Sequence, residues 1–263
     1  MNPRVKGLLW ISLHIGVLAL LAGLWMLSIK NQRAQFSNHL EVQIIKSNPE
    51  NSLITKNEIM THLKYFFKKD WRKIRQYNLH TKELEDYFEK LSTVHHAEIY
   101  MDARDNFHID IYQRDPVMRV IDIANNQFYI GSDGEKIPCS TIYSARVPVI
   151  TGLIPELVGS SIWSKSNMAY QTMFKLSTEV SKDAFAKALI EQIEVNQSGQ
   201  IQLIPKVGKE KINFGAVVQV KEKLEKLKFF YEQGLPYAGW NVYETIDLNN
   251  DGQVVCKKYQ QAI

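Results

Sequence analysis

The sequence predicts an α+β protein with three parts: an N-terminal single transmembrane helix, a small β-α-α-β-β domain, and a strand-rich α+β domain. Three observations predict it. Gly7–Ile29 is a long apolar run without a formal charge. Residues 38–115 pass from helix-spaced to strictly alternating apolar positions. From Pro116 onward, turns and short alternating runs dominate.

The apolar run "GLLWISLHIGVLALLAGLWMLSI" would extend roughly 34 Å as a helix, enough to cross the hydrocarbon layer. Trp10 and Trp25 lie toward its ends, where indoles favour an interface. Its length, and the exit into "KNQRAQF" without a small-residue cleavage pattern, favour an uncleaved span over a signal peptide. Charge barely decides the orientation, because Arg4 and Lys6 on one side face Lys30 and Arg33 on the other. The expected boundaries are a tail over 1–6, the span over 7–29 and a tether over 30–37.

In the small domain, "LEVQIIK" reads as a strand, and Thr55 with Glu58 forms a capping box that opens a helix. A second helix opens at Thr81, with Leu84, Tyr87, Phe88 and Leu91 on one face. The strands "VHHAEIYM" and "NFHIDIYQ" follow. Their alternation leaves His96, Glu98, His108 and Asp110 on the polar face. That face could ligate a metal or bind a basic partner, though an ordinary exposed face explains the same residues.

The larger domain spans 116–263. Turns at Ser132–Gly134 and Gln197–Gly199 each join alternating runs, as hairpins require. Helical patterns occupy Ser166–Leu189 and Val217–Tyr231, the second expected to stop at Gly234 and Pro236. Its lysine run "VKEKLEKLK", interleaved with Glu222 and Glu225, reads as a solvated helix face. The chain closes on two strands, "WNVYETIDL" and "QVVCKKY".

Between those strands, Asp247, Asn249, Asp251 and Gly252 fall where a calcium loop puts its first ligands and its glycine. The twelfth position is Lys258, where a bidentate carboxylate is required, and the flanks alternate like strands. A hairpin turn accounts for every residue without a metal. Cys139 and Cys256 form no metal-spaced pair, and the sequence leaves open whether they are bridged or free. No phosphate loop, nucleophile elbow or zinc-protease motif appears. The expectation is a non-enzyme with no catalytic residue, no metal and no cofactor. The net charge of +4 carries no concentrated basic stripe, so nucleic acid is not an expected partner.

The motifs "IDIYQRDPVMRV", "QFYIGSDGEKIP", "YSARVPVITGLIP" and "KINFGAVVQVKEKLEKLKFFY…YETIDLNNDGQVV", in this order, resemble the FtsQ/DivIB family of bacterial cell-division proteins. The "QRDP" and "YSARVPV" forms look most like the version in Bacteroidetes-type bacteria. The resemblance implies a POTRA domain over 38–115 and a β domain over 116–263. It also implies a cytoplasmic N-terminus, a periplasmic body and an inner-membrane location at the division septum. By the same resemblance the protein is a membrane-anchored divisome scaffold that binds FtsB and FtsL, contacts other divisome components including the septal synthase, and helps regulate septal peptidoglycan synthesis. The partner strand maps to Gln253, Val254, Val255, Cys256, Lys257, Lys258 and Tyr259. An edge strand also has unpaired backbone groups to offer, which gives that mapping physical sense. Val254 or Cys256 is expected to face the partner and Val255 the core. The family's Arg-aromatic step after "DL" is replaced here by Asn249 and Asn250, so the contact expected there is missing or supplied by Tyr259. Two other readings stay open: a POTRA-bearing envelope protein assisting outer-membrane or secreted proteins, and a membrane-tethered metal-dependent hydrolase built on the His96–Asp110 face.

Overall fold

The computed structural model describes residues 14–27, 39–49, 51–68, 79–104, 106–140 and 143–259. Among these, no helix is long and apolar enough to cross a membrane. The first described stretch, residues 14–27, is helical, and residues 7–13 and 28–29 of the expected span lie outside the described residues. The expected transmembrane helix is thereby corrected. So are the membrane anchoring, single-pass topology and inner-membrane location that depended on it. The tail over 1–6 and the tether over 30–37 lie outside the described residues.

The chain divides into two compact units. The first contains residues 1–45, 55–90 and 96–111, and the second takes 46–54, 91–95 and 112–263. In the first, β1 (Leu40–Ile45) is followed by α1 (Lys56–Phe67), α2 (Thr81–Glu89), β2 (Val94–Met101) and β3 (Phe107–Gln113). The Thr55 side chain accepts the Glu58 backbone N–H, while Glu58 accepts from the Thr55 backbone N–H at 2.7 Å, completing the expected capping box. The three strands form a sheet in the order β1-β3-β2. Ile59, Leu63, Leu84 and Phe88 are buried from the helices, and Ala97, Ile99, Phe107 and Ile109 from the strands. Their spacing of three or four on helices and two on strands puts each on its inner face.

The second unit is built on one sheet of nine strands, ordered β12-β11-β10-β9-β8-β7-β4-β5-β6. These are β4 (Pro116–Ile121), β5 (Gln127–Gly131), β6 (Lys136–Pro138), β7 (Val149–Gly152), β8 (Ile190–Val195), β9 (Ile201–Pro205), β10 (Lys211–Gly215), β11 (Tyr243–Asp247) and β12 (Val255–Lys258). Helices α3 (Met168–Lys182), α4 (Ala184–Leu189) and α5 (Val220–Phe229) carry the apolar residues that join the strands in the main core. Tyr170, Met173, Leu176 and Val180 of α3 recur at helical spacing and are buried in that core with Met118, Ile150, Ile193, Leu203, Phe214 and Ile246. A smaller cluster gathers Leu53, Tyr129, Ile137 and Ala145.

Strand β4 begins beside Arg114, whose Nε donates to Asp133 Oδ2 at 2.7 Å and whose guanidinium also reaches the Ser92 carbonyl. Asp133 lies in the β5–β6 turn, and Gly131 makes room for this pairing. A Cβ there would stand 2.7 Å from the Arg114 side chain. Glycine is what lets the "QRDP" arginine reach the turn.

The end of α5 departs from expectation. Phe230–Gly234 forms a π turn, and a short helix α6 (Leu235–Ala238) continues beyond it. Gly234 and Pro236 do not stop the helix. Pro236 occupies the first turn of α6, where its missing N–H costs nothing.

Candidate functional site: the β12 edge and its groove

Strand β12 is the terminal strand of the nine-stranded sheet and pairs antiparallel with β11, with Asp247 opposite Val255, Ile246 opposite Cys256 and Thr245 opposite Lys257. Val254 and Cys256 pack against the main core, whereas Val255 is 46% exposed. The expected facing is therefore reversed: Val255 looks outward and Val254 inward. A register shift between Tyr243 and Thr245 in β11 accompanies the pairing. The strand is also shorter than expected, since Gln253 and Val254 lie in the turn before it and Tyr259 after it.

Both ends of β12 are tied down. The Tyr259 N–H donates to the Val242 carbonyl at 3.3 Å, and its hydroxyl donates to the Lys209 carbonyl at 3.2 Å. Tyr259 is thus engaged within the fold while remaining 41% exposed. Lys257 pairs across the ladder with Glu244 at 2.8 Å, and Lys258 is exposed. Cys256 and Cys139 are both unbridged. Burial pushes the Cys256 thiol pKa up from its ordinary value.

The preceding turn is a hairpin connection, as its sequence implied. Asp247 Oδ1 accepts the Asn249 N–H at 2.8 Å and its amide Nδ2 at 3.0 Å. Asn249 Oδ1 accepts from Lys223 Nζ at 3.4 Å. Asn249 is therefore an internal brace. Gly215 (φ +71°) permits it, because a Cβ there would stand 1.9 Å from Asn249 Oδ1.

The lysine-rich helix proves to be more than a solvated face. Lys223 is only 5% exposed, and its Nζ donates to the Phe214 carbonyl at 2.7 Å and the Ala216 carbonyl at 3.1 Å while lying 4.8 Å from the centre of the Phe214 ring. Burial lowers its pKa, and the neighbouring Lys226 acts in the same direction. Lys226 Nζ donates to the Leu248 and Asn250 carbonyls at 2.9 and 2.7 Å. The glutamates at 222 and 225 disguise these two lysines in the sequence.

Beside β12 opens a groove of about 700 Å³, lined by Lys226, Phe229, Tyr237, Gly252, Gln253 and Val254 among others. Phe229 is 69% exposed and Tyr237 89%. Phe229 precedes the π turn and Tyr237 follows it, and both line this groove, while Phe230 packs on Tyr243 with ring centroids 5.9 Å apart. A π turn at such a place is typical of binding surfaces. Behind it, the Tyr231 hydroxyl donates to the buried Glu210 at 2.6 Å, and burial raises the tyrosine pKa well above its ordinary value. The sequence pattern anticipates neither the groove nor the π turn. The run Phe229–Tyr231 followed by Tyr237 was the available signal.

The polar hairpin face of the first unit is organised differently from expectation. His96 Nδ1 is 2.6 Å from Glu89 and its Nε2 is 3.7 Å from Glu98, while His108 lies between Asp102 at 3.3 Å and Glu41 at 3.5 Å. Tyr100 stacks on His108 with ring centroids 4.9 Å apart and donates to Asp110 at 3.3 Å. Among the described residues, no group of three His, Cys, Asp or Glu side chains is arranged to hold a metal ion.

Strand β12 is thus an exposed terminal strand with an aromatic groove beside the turn that leads into it. Residues 115–257 match the profile of the family described as FtsQ/DivIB, C-terminal related. The chain belongs to the FtsQ/DivIB-related family. The match is to that C-terminal domain and does not single out a Bacteroidetes-type form. Domains of this family are non-catalytic. No curated protein matches the sequence.

Proposed function

We propose that the chain is a non-catalytic interaction scaffold of the bacterial division machinery, and that an FtsB-type partner adds a strand to β12. FtsL is a further partner in this reading, and the β-α-α-β-β unit is a POTRA domain. The observation that carries it is the position of β12 at the end of the sheet, with Val255 outward and the aromatic groove alongside. Backbone hydrogen bonds from the free edge would supply affinity, and outward side chains with the groove would supply selectivity. Lys257 and Lys258 disfavour pairing with another lysine-bearing edge and attract an acidic segment. Of the residues named from sequence, Val255, Lys257 and Lys258 serve as contacts, while Val254, Cys256 and Tyr259 hold the strand and Gln253 lines the groove. The His96, Glu98, His108 and Asp110 face stands as a second surface.

The test is titration of the purified chain with a segment of FtsB from the same bacterium. Val255→Glu is expected to weaken binding by about tenfold or more, about 1.4 kcal/mol, without moving the melting temperature. Equal affinity for variant and parent would remove β12 from the interface.

A further inference from the structure

We propose that Lys226 is a positioning residue that latches the edge strand in its docking geometry, an inference that rests on β12 being the docking edge. Its ammonium spans the Leu248 and Asn250 carbonyls, on the two sides of Asn249. It also lines the groove together with Gln253 and Val254. One side chain therefore fixes where the turn leaves β11 and forms part of the groove wall. Three residues earlier on the helix, Lys223 grips the end of β10 through the Phe214 and Ala216 carbonyls and reaches the same turn through Asn249. Residues three apart share a helix face, so α5 presents both cations to one strip of backbone.

The chemistry explains why lysine occupies these positions. An ammonium has three donors and can serve carbonyls arriving from different directions. The β11–β12 turn has a sheet neighbour on one flank, so its carbonyls need another source of donors. The two lysines divide the work. Lys223 is inside the core and belongs to the stability of the fold. Lys226 is half-buried at the groove, so it can set the strand's position without supporting the core. Without it, Val255–Lys258 would keep its ladder to β11 but would sample other positions, and a partner would have to pay for reordering it.

The experiment uses the full chain with Lys226→Met, which keeps an apolar stem, and Lys226→Arg, which restores donors. Amide hydrogen exchange is followed at Val255–Lys258 and, as an internal reference, at β8 and β9. The latch predicts that Met accelerates exchange in β12 by about tenfold or more, leaves β8 and β9 unchanged, and that Arg recovers most of the protection. It also predicts a matching loss of affinity for the FtsB segment in the Met variant. Unchanged β12 exchange overturns the latch, and uniform acceleration in all three strands reduces Lys226 to a general stabiliser. Lost protection with full affinity overturns its role in docking. A parent chain that does not bind the segment defeats the docking reading itself, an outcome recorded independently of the exchange data.

Discussion

The β8–β9 and β11–β12 hairpins solve the same problem in different surroundings. In β8–β9, Asn196 Oδ1 accepts the N–H groups of Ser198 and Gln200 and the Ser198 hydroxyl, closing the turn from within. Its strands have neighbours on both sides, β7 and β10. In β11–β12, Asp247 makes a similar local closure, but the turn carbonyls are handed to Lys226 of α5, and Lys223 reaches the Asn249 side chain. Asx chemistry suffices where the sheet confines the strands. At the sheet's end a helix supplies the confinement that a neighbouring strand would have given, and β12 has a strand neighbour on one side alone among the described residues.

Removing Lys223 should break this contrast most severely. Lys223→Met leaves the Phe214 and Ala216 carbonyls without their donor, at about 1–3 kcal/mol for each unsatisfied group. Chemical denaturation should show that loss as a global shift in the unfolding midpoint. Asn196→Ala removes a self-contained turn and should cost about 1 kcal/mol, with affinity for the FtsB segment unchanged. A large affinity loss in that variant would mean the two hairpins are coupled.

The smallest expected effect concerns acid. Asp133, in the β5–β6 turn, is pushed up by burial but pulled down further by the Arg114 hydrogen bond, the Glu135 N–H, the Arg114 charge and His95, for a net lowered pKa. A depressed folded pKa contributes stability above the ordinary aspartate range and loses it as pH falls through that range toward the folded value. The acid limb of a stability–pH curve should therefore flatten in Asp133→Asn, with the difference from the parent greatest at neutral pH. A parallel displacement at all pH values would contradict the assignment.

Particular residues show how much of this was legible in the sequence. Thr55 and Glu58 announced a helix start through a local rule, and the reciprocal capping hydrogen bonds are formed. The missing carboxylate at Lys258 was enough to read a hairpin in place of a calcium loop. The facing of β12 was not legible, because Val254 and Val255 are chemically alike and register, which sequence does not display, decides which is buried. Lys223 was misread for a related reason. Its burial depends on carbonyls of β10 that tertiary packing brings to it. The apolar run near the N-terminus was legible as hydrophobicity, yet among the described residues no helix is long and apolar enough to cross a membrane.

The central claim is that β12 receives a partner strand. Amide exchange of the chain with and without the FtsB segment tests it most directly. The account predicts slowed exchange at the outward-facing amides of Val255–Lys258, with little change in the buried strands β8 and β9. Protection that arises elsewhere on the chain, with β12 exchanging as in the free protein, would contradict it.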